Sequence, residues 1–257
     1  MRTVRRILGI LVVLAIGFGV GWAWPIIVRP PLVVGQDAIS SAATTKVQVK
    51  IENAGGRVLV ARPPSGVAEQ QTLVIIYPGG LVRPQAYEWL ARREAALGRL
   101  AVIPEFSFDL AVLDSGRADA LIAKYGAGRK VVLIGHSLGG AMAAQYLSDK
   151  AKQGQYPVAG LILMAAYPAD GIDLTGAKFA ALSLRAENDT VAAEAKVEGG
   201  LKQLPKGTRL EVVDGAVHAF FGRYGPQAGD GVPTVTREAA QTQIGAYVDD
   251  FIASLPS

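Results

Sequence analysis

Val131-Val132-Leu133-Ile134-Gly135-His136-Ser137-Leu138-Gly139-Gly140-Ala141-Met142-Ala143-Ala144-Gln145-Tyr146-Leu147 decides how this chain is read. Four aliphatic residues in a row, bounded by a glycine, read as a buried strand, and the run from Leu138 onward reads as a helix. Between them, Gly135-His136-Ser137-Leu138-Gly139 fits the G-x-S-x-G pattern. A turn that sharp holds the serine in a strained backbone conformation, and the flanking glycines let neighbouring chain approach without a Cβ clash. Ser137 then stands at a helix N-terminus, where free N–H groups and the helix dipole favour a developing anion.

Working outward, short apolar runs alternate with helical patterns. Strands are expected at 46–51, 57–61, 72–77, 100–103, 130–134, 158–164, 179–184 and 209–213, with a hairpin signal at Asn53-Ala54-Gly55-Gly56. Helices are expected at 84–97, 109–125, 138–152, 191–204 and 236–254. Regular alternation of this kind predicts an α/β fold with a mostly parallel central sheet and helices on both faces.

A serine hydroxyl needs a base to act as a nucleophile near neutral pH. The chain has two histidines. His136 lies inside the tight turn and is expected to point away from Ser137, which leaves His218, in the loop after the last strand. Asp189, on the loop after the penultimate strand, is the expected partner that orients the imidazole; the alternative role for it is a cap of the helix from Val191. Asp170 or Asp173 is the alternative acid, Glu187 stands too close to the strand end, and Asp214 reads as a turn former. An oxyanion needs two backbone donors. Leu138 N–H is the expected first, and Gly80 or Leu81, in Tyr77-Pro78-Gly79-Gly80-Leu81, the second.

Together these segments resemble the α/β-hydrolase superfamily over about residues 46–255, and in particular its small fold-5 group. The resemblance is carried by Tyr77-Pro78-Gly79-Gly80, the stretch from Pro104 to Leu113, Gly135 to Ala143, Asn188-Asp189 and His218-Ala219-Phe220-Phe221-Gly222. It implies serine hydrolase chemistry with no cofactor. Tyr77-Pro78 stands where many relatives have His-Gly, a departure in the oxyanion loop. Only about 14 residues separate Met164 from Phe179, too few for a helical lid, so an open, shallow pocket is expected. The Gly-rich loop after His218 should border it, with Phe220, Phe221 and Tyr224 as acyl contacts.

The substrate class that follows is a small molecule with an acyl group. A carboxylic ester of small or medium acyl length leads, with acyl transfer, thioester or amide cleavage, or a non-catalytic surface-binding role as alternatives. The absence of cysteine excludes disulfide scaffolds, thiolate metal sites and a cysteine nucleophile, and two histidines leave little for a metal centre. The net charge of +4 does not indicate a nucleic-acid partner. Arg2, Arg5, Arg6 and Arg29 supply the whole excess, no basic patch stands out in the rest of the chain, and no phosphate loop is present.

Residues 7–28 carry no charge and would rise about 33 Å as a helix, enough for a hydrocarbon core of about 30 Å. Three arginines precede this run, so residues 1–30 read as a membrane anchor with a cytoplasmic N-terminus, or as a signal segment cleaved near Gly21-Trp22-Ala23 or Ser41-Ala42-Ala43. Residues 31–45 read as a tether and 46–257 as the catalytic domain, membrane-anchored on the extracytoplasmic side or secreted.

Overall fold

The computed structural model describes residues 2–33 and 41–256, and within the first helix the side chains of 7–21 and 24. Eight strands form one sheet: β1 (Val49–Asn53), β2 (Arg57–Ala61), β3 (Thr72–Tyr77), β4 (Leu100–Pro104), β5 (Lys130–His136), β6 (Gly160–Met164), β7 (Ala180–Ala186) and β8 (Arg209–Val213). Their order is β1-β2-β4-β3-β5-β6-β7-β8. The pairs β1/β2 and β2/β4 are antiparallel and the rest are parallel.

Strand alternation splits the core in two. Val74, Ile76, Val132 and Ile134 pack on one face with α3 (Glu88–Ala96) and α7 (Arg237–Ser254). Leu73, Ile75, Val131 and Leu133 pack on the other with α4 (Ala118–Tyr125) and α5 (Leu138–Lys152). Because both faces are covered, the central strands are apolar throughout; every residue of β3 is buried. The chain leaves β3 for β4 on one side, and β5 lies on the other. That reversal opens a crevice at the carboxyl ends of β3 and β5, where ligands bind in open α/β sheets.

Three expected helices are shorter than their patterns, the first of them, at 84–97, being α-helical only from Glu88 after a 3-10 turn at Pro84–Tyr87. The stretch 109–125 is a helix only from Ala118; before it run three 3-10 turns, Ser107–Asp109, Ala111–Leu113 and Ser115–Arg117. Phe108 and Asp109 both have φ of 56° there, and Asp109 is held through its carbonyl by Leu81 N–H and through its carboxylate by Arg29. The expected 191–204 helix begins at α6 (Glu194–Gly200), because the Asp189 carboxylate holds the amides of Val191 and Ala192 in a turn. Between β6 and β7 there is no helix, and no helical cap inserted there covers the crevice among the described residues.

The N-terminal run forms α1 (Arg2–Ile27). Among the described residues no helix is long and apolar enough to cross a membrane. The tether is described at both ends, and 34–40 lie outside the described residues. At one end, residues 28–33 lie on the catalytic domain. Leu32 forms an antiparallel bridge with Tyr224, Val33 N–H donates to Arg223 O at 3.2 Å, and Gly225 N–H donates to Pro31 O at 3.1 Å. At the other, Ser41 caps a helical turn, α2 (Ala42–Thr45), whose Thr44 is buried.

An ionic cluster ties α3 to α7. Arg99 lies 2.7 Å from Glu94 and 3.1 Å from Asp249, and Arg93 lies 2.6 Å from Asp249. Burial pushes the Glu94 carboxyl above the ordinary carboxylate range, against the pull of Arg99 and with Asp249 adding to the rise. Folded protein therefore holds this proton more tightly than unfolded chain, so the group's contribution to stability falls as pH rises from about 5 to about 7. Denaturant titrations should show wild type losing stability relative to Glu94→Gln over that range. Parallel curves would contradict the assignment.

Candidate active site

Ser137 joins β5 to α5 with φ 50° and ψ −123°, a strained geometry of the kind that persists only where the surroundings over-determine it. Its N–H donates to Met164 O at 3.0 Å, and its carbonyl accepts from Gly140 and Ala141. Two turns press together here. A Cβ on Gly139 would lie 2.3 Å from Pro78 O, and one on Gly80 would lie 2.9 Å from Leu138 Cδ2. This contact sets the Leu138 amide beside the Gly79-Gly80 segment. The N–H groups of Gly80 and Leu138 have no acceptor among the described residues. Leu81 is different: its N–H donates to Asp109 O at 2.8 Å. Of the two expected loop donors, only Gly80 is free; the left-handed turn at Leu81 (φ 60°) points its amide into the fold instead.

Asp189 Oδ2 lies 2.8 Å from His218 Nδ1, with side chains 2% and 1% exposed. The other oxygen, Oδ1, accepts from Val191 and Ala192 N–H, both at 2.8 Å. Asp189 is thus both partner of the imidazole and cap of the following turn, one oxygen serving each role. Asp173 instead holds Thr175 on the surface. Glu187 accepts from Gly215 N–H. Ser137 and His218 both line two adjoining cavities, and Ser137 Oγ has no hydrogen-bond partner among the described residues.

Asp230 and Tyr87 belong to the site's support and carry no local sequence signal. Asp230 accepts from the N–H groups of His218 and Ala219, at 3.0 and 2.9 Å, and so fixes the turn that bears the imidazole. Tyr87 OH accepts from Gly79 N–H at 2.9 Å and lies 2.7 Å from His136 Nδ1. Burial raises the Tyr87 hydroxyl's pKa, so its proton stays on and is given to His136 Nδ1; the reverse direction would leave that buried hydroxyl hydrogen without a partner. Burial, and secondarily the nearby His218, hold His136 well below the usual imidazole range. His136 is therefore a neutral wedge. Its ring centroid is 4.6 Å from that of His218, so the residue set aside in the sequence reading supports the imidazole from beneath.

The three aromatic residues expected to touch substrate divide. Tyr224 lines a cavity of about 240 Å3 with Gly80, Ser137 and His218. Phe221 does not: it is fully buried in the core, with its carbonyl accepting from Trp89 Nε1. Phe220 also lines neither cavity; it lies under Arg237, 4.6 Å from ring centroid to guanidinium carbon. Burial of the helical turn 218–221 against α7 turns both rings away from Ser137. The second cavity, about 280 Å3, is walled by Ala141, Ala165, Tyr167, Val191 and Ala192. Apart from Tyr167 these are small or medium apolar residues, and of them only Ala141 falls in a stretch that the sequence marks. Among the described residues no cluster of three or more ligating side chains could hold a metal ion.

The model of the alpha/beta hydrolase family matches residues 73–242, most of the chain, and the protein belongs to that family. Among solved structures, a predicted CIB-like hydrolase from Thermoplasma acidophilum superposes with a TM-score of 0.59 at 16% identity, over 81% of this chain and 99% of that one; the likeness is one of fold. No curated protein matches the chain. Membership of this family supports a general hydrolase.

Proposed function

We propose that the protein is a serine hydrolase that cleaves carboxylic esters of small or medium acyl groups, with Ser137, His218 and Asp189 as its triad. The observation that carries the reading is the buried Asp189–His218 pair, whose imidazole lines the same cavity as Ser137 and Gly80 and, with Ser137 again, the adjoining cavity that holds Leu138, the amides of Gly80 and Leu138 both being unengaged among the described residues. Asp189 occupies Nδ1 of the imidazole, which leaves Nε2 to take the Ser137 proton. Ser137 Oγ then bonds to the acyl carbon, and the amides of Leu138 and Gly80 hold the oxyanion. The bond to the alcohol breaks, and the alcohol leaves with the proton from His218. Water repeats the sequence on the acyl-enzyme, releasing the acid and restoring Ser137.

We further propose that residues 7–27 of the uncharged run tether the full chain to a membrane with the catalytic domain on the extracytoplasmic side, a reading that rests on the length of the run and on the arginines before it. A panel of p-nitrophenyl esters of increasing acyl length tests the chemistry. Turnover that favours the shorter acyl groups and is lost in His218→Ala is the expected result. Folded protein that cleaves no ester, or a His218→Ala variant as fast as wild type, would overturn it.

A further inference from the structure

The chain that leaves α1 does more than connect it. Val28 and Pro30 form part of the wall of the 240 Å3 cavity that holds Ser137, Gly80 and His218. They are held there from both sides. Arg29 Nη1 lies 3.0 Å from Asp109 Oδ2, with the Asp109 side chain 7% exposed, and the bridge of Leu32 to Tyr224 closes the other end. Asp109 is also the residue whose carbonyl accepts from Leu81 N–H. One left-handed residue therefore joins the N-terminal strap to the loop that presents Gly80.

We propose that residues 28–33 are part of the active site and that Val28 and Pro30 select the alcohol half of the ester; the proposal rests on the hydrolase reading above. A tetrahedral centre on Ser137, with its oxyanion between Gly80 and Leu138, has two remaining substituents, and two cavities meet at Ser137 and His218 to receive them. The cavity walled by alanines, Val191 and Tyr167 suits an acyl chain. The strap cavity combines the apolar Val28, Pro30 and Leu81 with the polar Tyr224 and Gln227, and it has no Lys, Arg, Asp or Glu on its lining. A charged leaving group would give up its hydration there with no partner, so the alcohol it takes is uncharged and partly polar.

Two substitutions in the full chain separate the cavities. Val28 and Val191 are 50% and 40% exposed, so a larger side chain at either narrows a cavity without entering the core. With Val28→Trp, kcat/KM for a bulky-alcohol ester should fall roughly 10-fold or more relative to the methyl ester of the same acid, while the ratio across acyl lengths at fixed alcohol moves less than about 2-fold. Val191→Trp should do the converse. If Val28→Trp leaves the alcohol ratio unchanged, or shifts the acyl ratio as much, the assignment is wrong while the hydrolase reading stands. If wild type cleaves none of these esters, both fall together. Arg29→Ala, which frees the strap from Asp109, should relax the alcohol ratio toward unity; an unaltered ratio would count against the strap.

Discussion

Ser137→Ala should abolish ester turnover, with kcat falling by roughly 10⁴-fold or more, while the thermal midpoint stays within a few degrees of wild type. The size of the loss follows from the mechanism: without Oγ there is no acyl-enzyme, and the remaining amides of Gly80 and Leu138 can only polarise the carbonyl for direct attack by water. Stability is spared because the hydroxyl has no hydrogen-bond partner among the described residues and alanine is no bulkier than serine. The strained φ of 50° is shared by both residues. Steady-state kinetics with a calorimetric melt checks both halves. Residual activity within about 10-fold of wild type would mean that another group is the nucleophile.

The second large effect concerns the turn itself. Gly139→Ala should cost about 3 kcal/mol of stability or more, because its Cβ would meet Pro78 O at 2.3 Å and Tyr77 O at 2.5 Å. Both obstacles are backbone at the end of the central strand β3, so neither can swing aside. Relief requires α5 to move away from the Gly79-Gly80 loop, which would also part the two oxyanion amides. For a domain of this size the thermal midpoint should fall by roughly 6–12 °C. Gly199→Ala serves as the control, since a Cβ there meets nothing within 4 Å. Equal midpoints for the two variants would show that the close approach at Gly139 is not a constraint.

The parts of this molecule that were readable in advance are those governed by local periodicity. The apolar run ending at Ile134 and the helical pattern from Leu138 became β5 and α5, with α5 beginning and ending at the residues expected, because hydrophobic spacing and the glycines between them act over a few residues. The loop positions of Asp189 and His218 followed from the alternation of strands and helices. What stayed hidden depends on residues distant in sequence. The pattern at 109–125 is helical by spacing, yet Asp109 is committed through its carbonyl to Leu81 and through its carboxylate to Arg29, and those contacts break the helix. His136 gives no local hint of its place, because that place is set by Tyr87 and by the ring of His218. Phe220 and Phe221 follow the base in sequence, which suggested substrate contact; the tight helical turn they share with His218 sends one into the core and the other under Arg237. The strap at 28–33 carries no chemical signature at all. Its role comes from where Asp109 and Tyr224 hold it.

The central claim is that Ser137 is an activated nucleophile, and covalent capture tests it most directly. The full chain would be treated with a fluorophosphonate and digested, and the adduct mapped by mass spectrometry, in wild type, Ser137→Ala and His218→Ala. A single adduct on Ser137 in wild type, absent from the first variant and strongly slowed in the second, is the predicted result. Folded wild-type protein left unmodified, or modified at another residue, would contradict it.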